Sequence, residues 1–458
     1  MHTFAENMEL ARTLAQRVRA QGGTAYFVGG FVRDALRGAP NKDLDIEVHG
    51  LAPAQLAAVL DTLGARLAQG ESFGIYTLKG WDLDIAMPRR EHATGRGHRD
   101  FDVLVDPFLG PRKAAMRRDF TINAMMQDVL TGELLDPFGG QADLAAGVLR
   151  HVSSDTFGED PLRVLRAAQF AARFGFAVAD ETTALCRGMD LRALSRERVL
   201  GELAKALLKS DTPSRFFAVL RQMDQLGCWF GEAADLIGVP QNPRHHAEGD
   251  VWTHTLMVLD TAAGYRGRAA QPLGFMLAAL VHDFGKAVCT ETVNGAVHAY
   301  GHETAGLPLA KTFLRRLTNE EKLIAYVLNL AEYHMKPNTA AAANASLKAT
   351  NRLFDASADP EALICLGAAD GEGKIPALPT EQYKAFLEER LRLYRETMAQ
   401  PGVMGRDLIA AGLAPGPDFS ACLAYAHKLQ LAGIGRESAL KQTLSFAAHA
   451  RRRQGGGG

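Results

Sequence analysis

In the first third of the chain, short apolar runs alternate with polar positions and are broken by glycine. AYFVGG (25–30) is a brief apolar run ending in Gly-Gly. LDIEVHG (44–50) and GIYTLKGWDLDIAM (74–87) alternate with the period of two expected of half-buried strands, and PAQLAAVLDTLGA (53–65) between them reads as a helix. The opening MHTFAENMELARTLAQRVRA reads as an amphipathic helix without the apolar core of a secretory signal. These elements predict an α/β unit ending near DPFGG, 136–140. Beyond residue 141 helical spacing takes over, in DPLRVLRAAQFAARFG (160–175), SRERVLGELAKALL (195–208) and SRFFAVLRQMDQLG (214–227). The Pro/Asn/His-rich stretch VPQNPRHHAEGD (239–250) marks a boundary, followed by a histidine-bearing helical block to about 345 and a last helical region, about 377–453. TAAAANAS (339–346) reads as a surface turn and RRRQGGGG as a frayed basic tail. The expected class is multi-domain α+β, divided at 1–150, 151–238, 239–375 and 376–458.

Composition narrows this picture little. The 458 residues are 47% apolar and 22% charged, ordinary for a globular chain. Lys+Arg 51 against Asp+Glu 52 argues against a protein that coats nucleic acid nonspecifically, but leaves room for a local basic face. Five scattered cysteines without a CxxC pair fit reduced thiols, and no uncharged apolar run is long enough to span a membrane. A cytoplasmic location is expected, with no membrane partner; the oligomeric state is not legible.

Chemistry enters at Gly29-Gly30, followed by Phe31-Val32-Arg33-Asp34. Glycine lets backbone N–H groups approach a triphosphate. Shortly after comes Lys42-Asp43-Leu44-Asp45. Strand residues two apart share a face, so Asp43 and Asp45 project together and repel unless a cation lies between them. Mg²⁺ with one or two carboxylates and substrate phosphates is the expected solution, with Asp84 as candidate third carboxylate.

GGFVRDALRGAPNKDLDIEV resembles the head motif of class II tRNA nucleotidyltransferases, the CCA-adding enzymes and their poly(A) polymerase relatives, in the superfamily of DNA polymerase beta. RRDFTINAM (117–125), DPFGGQADL (136–144), EDPLRVLRAAQFAARF (159–174) and SRERVLGEL (195–203) resemble further family motifs in order. The resemblance implies a polymerase-beta-like nucleotidyltransferase head, an all-α neck, and tRNA, CTP and ATP as partners. It implies catalytic roles for Asp43, Asp45 and Asp84. Nucleotide contacts are implied for Gly30, Arg33, Arg118, Asn123, Asp160, Arg163 and Arg166. Asp160 and Arg163, three apart, would share a helix face. A carboxylate only accepts and a guanidinium only donates, so such a pair suits the amine-beside-ring-nitrogen edge of cytosine and adenine and mismatches guanine and uracil. The family often carries another Arg where this chain has Gln169, which removes an expected phosphate contact there. MPRREHATGRGHRDF (87–101), a mobile basic loop by composition, resembles the loop that repositions the site between C and A addition.

A second constellation comprises His254, His282-Asp283, His302, His334 and Asp370. Imidazole and carboxylate together suit divalent transition metals as well as Mg²⁺, and a bound metal acidifies water for attack on a phosphoester. His254, His282, Asp283 and Asp370 are the candidate metal ligands, with Lys286, His302 and His334 for phosphate or a second metal; His245 and His246 read as structural. The array resembles the HD phosphohydrolase superfamily, which implies hydrolysis of 2′,3′-cyclic phosphates and 2′-phosphates. GRDLIAAGLAPGPDF (405–419) and GRESALKQTL (435–444) resemble the CCA family's helical tail. The expected function is untemplated CCA addition with HD-domain hydrolysis. The alternatives are an A-adding enzyme or poly(A) polymerase, or an HD phosphohydrolase with a head that only binds nucleotide.

Overall fold

The computed structural model describes residues 2–67, 74–93, 101–416 and 418–455. It separates into two compact units, Met1–Ser210 with Arg215–Trp229, and Asp211–Ser214 with Phe230–Gly458. The first holds the segment expected as head and most of that expected as neck; residues 211–214 and 230–238 fall in the second, with the segments expected as HD domain and tail.

The first unit opens with α1 (Phe4–Ala20), where Thr3 and Glu6 form a reciprocal capping box that satisfies free N–H groups of the first turn. Leu10, Leu14 and Val18 bury its apolar stripe. Next come β1 (Thr24–Val28), α2 (Gly30–Leu36), β2 (Leu44–His49) and α3 (Pro53–Asp61). The run 74–87 is two strands rather than one: β3 (Ile75–Thr77) and β4 (Leu83–Ala86) pair antiparallel, with Gly80 between them at φ 87°. Glycine adopts this left-handed conformation without a Cβ clash, which is what the period-two pattern conceals.

The segment expected as a mobile basic loop instead starts as β5 (Arg89–Ala93), antiparallel to β6 (Phe101–Val105); residues 94–100 lie outside the described ones. With β7 (Met126–Asp128) and β8 (Leu134–Leu135), the main sheet has the order β3-β4-β2-β1-β7-β8. Leu44, Ile46 and Val48 of β2 are buried in its core, so the alternate residues occupy the other face. Helices Leu162–Phe174 and Arg196–Lys209 then pack against each other.

The second unit is helical. Val251–Tyr265, Pro272–Val281, His302–Leu317, Glu321–Tyr333 and Pro360–Glu372 pack into one bundle, followed by Thr380–Ala399, Phe419–Leu431 and Arg436–Gly455. Its most apolar stretch, Pro272–Cys289, has the length and composition of a membrane span, yet it is 67% buried within the unit and carries His282 and Asp283. Two sequence readings change here. Lys336–Ala342 is helical, because alanine is the best helix former whatever the local complexity, and the last helix continues through the basic residues to 455.

One backbone contact fixes the centre of this bundle. A Cβ on Gly285 would lie 2.0 Å from the carbonyl oxygen of His302 and 2.7 Å from the Gly306 amide nitrogen. Both are main-chain atoms, so neither can step aside. Gly285→Ala should therefore destabilise the protein by roughly 1–3 kcal/mol, read as a lower urea midpoint; an unchanged midpoint would contradict the close approach.

Candidate active sites

The alternation of β2 turns Asp45 and Glu47 away from the core, with Asp43 just ahead of the strand on the same side. β2 runs parallel to β4, and the register sets Asp45 opposite Asp84. Burial, followed by the nearby charge of Asp84, raises the Asp45 pKa; Arg118 opposes this and Asp43 adds to it. A half-buried carboxylate whose charge is disfavoured by its acidic neighbours fits a divalent cation.

Gly29 closes the turn at φ 67°, and a Cβ there would stand 3.2 Å from Arg118 Nη1 and 3.6 Å from Asp45 Oδ2. The turn's requirement for glycine thus falls on Gly29, while Gly30 begins α2 and lacks a positive φ. Arg118 is aimed by Glu47, 3.4 Å away, whose carboxylate also pairs with His49 Nε2 at 2.8 Å. Burial opposes the charge on Glu47, but His49 and Arg118 prevail and lower its pKa. Glu47 escaped the sequence reading, although its place two residues after Asp45 was the available signal.

Behind these groups runs a continuous polar chain. Asp119, 7% exposed, accepts from the Phe120 and Asn123 nitrogens through Oδ1, and from Arg166 Nε at 2.8 Å through Oδ2. Asn123 Oδ1 in turn accepts from Arg33 Nη1 at 2.7 Å. Arg33 donates from Nε and Nη2 to the two oxygens of Asp34, each at 2.8 Å, and Asn41 donates to Asp34 as well. Arg33 and Asn123 are 4% and 5% exposed, and these bonds engage them inside the protein. The nucleotide contact expected of Arg33 and Asn123 thus falls on two buried groups that already bond to each other and to Asp34 and Asp119. Arg166 likewise pairs with Asp119 and lies 4.0 Å from Glu202.

Asp160 and Arg163 do not form the expected pair along a helix face. Asp160 precedes the helix, which begins at Leu162, and accepts from Arg198 Nη2 at 2.8 and 3.0 Å. Arg163 donates to the carbonyls of Thr156 and Arg117 at 2.7 and 2.6 Å. Each is held by its own partners, which sets the two groups separately. Gln169 is 1% exposed, so its side chain does not face a phosphate.

The histidine array converges in the second unit. His254, His282, Asp283, His302, His334 and Asp370 are all buried. His282 and His334 immediately follow helices ending at Val281 and Tyr333, where carbonyls lack intrahelical donors. Their Nδ1 atoms lie 2.8 Å from Ala279 O and 2.6 Å from Ala331 O; His302 Nδ1 lies 2.8 Å from Ala299 O. A carbonyl only accepts, so each Nδ1 carries a proton and each Nε2 is turned toward the array.

His302 and His334 Nε2 face each other at 3.4 Å. His254 Nε2 and Asp370 are 3.2 Å apart, and Asp283 lies between the two groups, 3.3 Å from His282 through Oδ2 and 3.2 Å from His302 through Oδ1. His254 Nε2, His282 Nε2 and both Asp283 oxygens are buried without a hydrogen-bond partner. Burial, then the neighbouring His282, pushes His334 down to about 3, leaving it neutral. Convergent imidazole Nε2 atoms around buried carboxylates fit bound cations. Among the described residues three groups are compact enough for an ion: His254/His282/Asp370, Asp283/His302/His334 and, sharing His254, His246/Glu248/His254.

Lys286, expected at a phosphate, contacts Asp283 at 2.7 Å and Gln241 at 2.9 Å. Asp283, Lys286, His302 and Asp370 line a cavity of about 570 Å³. Two further residues support the array. Glu248 Oε1 lies 3.2 Å from His254 Nδ1 and 2.8 Å from His246 Nδ1, so Glu248 joins the array unforeseen and brings His246, expected as structural, beside it. Its signal was an acid beside a His pair just ahead of a helix.

Fold and sites together define a nucleotidyltransferase head joined to an HD metal-binding bundle, and both classes are metal-dependent. Residues 25–150 match the poly A polymerase head domain and residues 251–371 the HD domain. The chain is 39% identical over 403 residues to the multifunctional CCA protein of Nitrosococcus oceani, covering 85% of this chain and 93% of that relative. It is 44% identical over 297 residues to that of Aromatoleum aromaticum, covering 64% and 70%. It belongs to the multifunctional CCA protein family. The fold is shared with the Thermotoga maritima CCA-adding enzyme complexed with tRNA (TM-score 0.64, 21% identity, 96% and 95% covered). It is shared also with the Bacillus stearothermophilus CCA-adding enzyme in complex with CTP (TM-score 0.66, 20% identity, 98% and 99% covered).

Two outcomes follow from the geometry. Asp119→Asn removes a buried charge from its partners and should cost roughly 3 kcal/mol in urea unfolding. Burial opposes the Asp119 charge, but Arg166 and Asn123 hold its pKa below the usual range. That contribution is therefore present above the unfolded value, about pH 4, and the gap to wild type should close as pH falls through the lower folded value. Glu248→Gln should weaken metal binding in the second unit by about 10–100-fold, measured by chelator competition; unchanged affinity would remove Glu248 from the site.

Proposed function

We propose that this chain adds C, C and A to the 3′ end of tRNA from CTP and ATP, without a nucleic-acid template. The observation that carries the reading is the Asp43/Asp45/Asp84 cluster within a chain of this family. Asp43, Asp45 and Asp84 would hold Mg²⁺, which when bound offsets triphosphate charge during transfer. The tRNA 3′-oxygen attacks the α-phosphorus, the bond to the β-phosphate breaks, and pyrophosphate leaves. Arg118 grips the triphosphate beside Gly29, in the direction Glu47 sets.

Asp160 accepts from the exocyclic amine of C or A, and Arg163 donates to the adjacent ring nitrogen. Arg198 and the carbonyls of Thr156 and Arg117 hold these two groups in place. Guanine or uracil would oppose carbonyl to carboxylate and N–H to guanidinium, and leaving buried groups unpaired is costly. Arg166, Arg33 and Asn123 are positioning residues acting through Asp119.

The second unit is read as a phosphohydrolase with His254, His282, Asp283 and Asp370 as ligands, and His302 and His334 with Asp283 as a second set. A divalent transition metal or Mg²⁺ held there would acidify water for attack on a phosphoester. Asp283 offers one oxygen to each set, and Lys286 steadies it. The four expected segments are kept as functional divisions, with the head and most of the neck in the first unit and the end of the neck, the HD domain and the tail in the second. The five free thiols favour a cytoplasmic location.

Incubation of tRNA lacking its CCA end with labelled CTP and ATP, separately and together, tests the main reading. Sequential C, C, A addition supports it; long A tails, or A added only to tRNA already ending in CC, would sink it. Asp43→Ala should abolish addition while phosphoester hydrolysis persists, and loss of both would argue against independent sites.

A further inference from the structure

The HD cavity has a second character besides its charged floor. Its lining includes Val297 and His298, from the second strand of the hairpin Glu291–Val293/Ala296–His298, and the residues Ala299 to Gly301 that follow. On this hairpin His298 and Tyr300 stack, with ring centroids 4.9 Å apart and planes 13° from parallel. Both line the cavity, and Tyr300 is 77% exposed, so the ring surface not covered by His298 is open. Met335, itself 43% exposed and adjacent to His334, lines the same cavity. A rigid aromatic pair and a polarizable thioether therefore sit over a floor of imidazoles and carboxylates.

Such a cavity matches a ligand with an anionic end and a flat aromatic end. Its volume of about 570 Å³ lies within the range of small-ligand pockets, roughly 300–1,000 Å³. Stacking on an aromatic ring is insensitive to base identity, because every base has a π-face. The prior contact with His298 holds the Tyr300 ring in plane, so little side-chain freedom is lost when a base lands on it. We infer that Tyr300, backed by His298, is a base-stacking platform that makes the HD site select phosphoesters of nucleosides over phosphoesters lacking a base. This rests on the hydrolytic reading of the second unit but concerns its selectivity.

The experiment uses the full chain supplied with divalent metal, and compares kcat/KM for adenosine 2′-monophosphate and glycerol 2-phosphate. Wild type should prefer the nucleotide. Tyr300→Ala should reduce that preference by about 10-fold or more through KM, with Tyr300→Phe retaining it, since a phenyl ring stacks as well. A preference unchanged in Tyr300→Ala, or lost equally in Tyr300→Phe, would overturn the platform. A parallel measurement needs no turnover: illumination with 8-azidoadenosine 2′-monophosphate should label the peptide containing residues 291–302, and Tyr300→Ala should lose that label. Absence of hydrolysis with labelling at this peptide refutes only the hydrolytic reading, whereas labelling elsewhere alone refutes the platform.

Discussion

A carboxylate taken out of water must find donors, and in the first unit Asp119 sets the arrangement of what surrounds it. One oxygen takes the Phe120 and Asn123 nitrogens, the other Arg166. Asn123 passes the constraint to Arg33, and Arg33 passes it to Asp34, which also receives Asn41. The helix that carries Arg166 also carries Arg163, and Asn41 lies two residues before Asp43. The helix that bears Arg163 and the segment that bears Asp43 and Asp45 are thus tied together by side-chain hydrogen bonds as well as by the main chain. Displacing one member leaves buried polar groups without partners, so the chain holds as a whole.

The two metal-binding regions reach fitness for a cation by different routes. In the head, strand alternation and a parallel register bring like charges together on a sheet face. In the second unit, carbonyls at helix ends take the Nδ1 protons of His282 and His334, so the Nε2 atoms are aimed at one another's neighbourhood by the main chain. Asp283 joins the two groups there, because its oxygens face opposite sets of histidines. The first route relies on repulsion a cation relieves, the second on preorganised acceptors.

Much of this was legible in the sequence. Period-two alternation located β2, and the order of the motifs placed the carboxylates and the histidine array. The illegible parts share one cause, dependence on partners distant in sequence. Nothing local to Asp160 announces Arg198, and nothing near Arg33 announces that Asn123 would occupy it. The burial of Arg33 is a tertiary property that its residue type does not announce. Glu47 and Glu248 were missed for a related reason: each acts on a neighbour's orientation, which residue type and spacing alone do not reveal. Gly80 divided an apparent single strand because a left-handed residue reverses the chain without disturbing alternation on either side.

The meeting of Gly285 with the main chain at His302 and Gly306 has a consequence for how the second centre can diversify. Where side chains set the distance between two segments, swapping a large residue for a small one retunes the gap in single steps. Here main chain rests on main chain, and no smaller residue exists to substitute. The separation between the His-Asp turn and the helix that starts at His302 is therefore a fixed gauge. Drift toward another metal or another reaction would have to proceed through the identity of the ligands, because the spacing offers no gradual path.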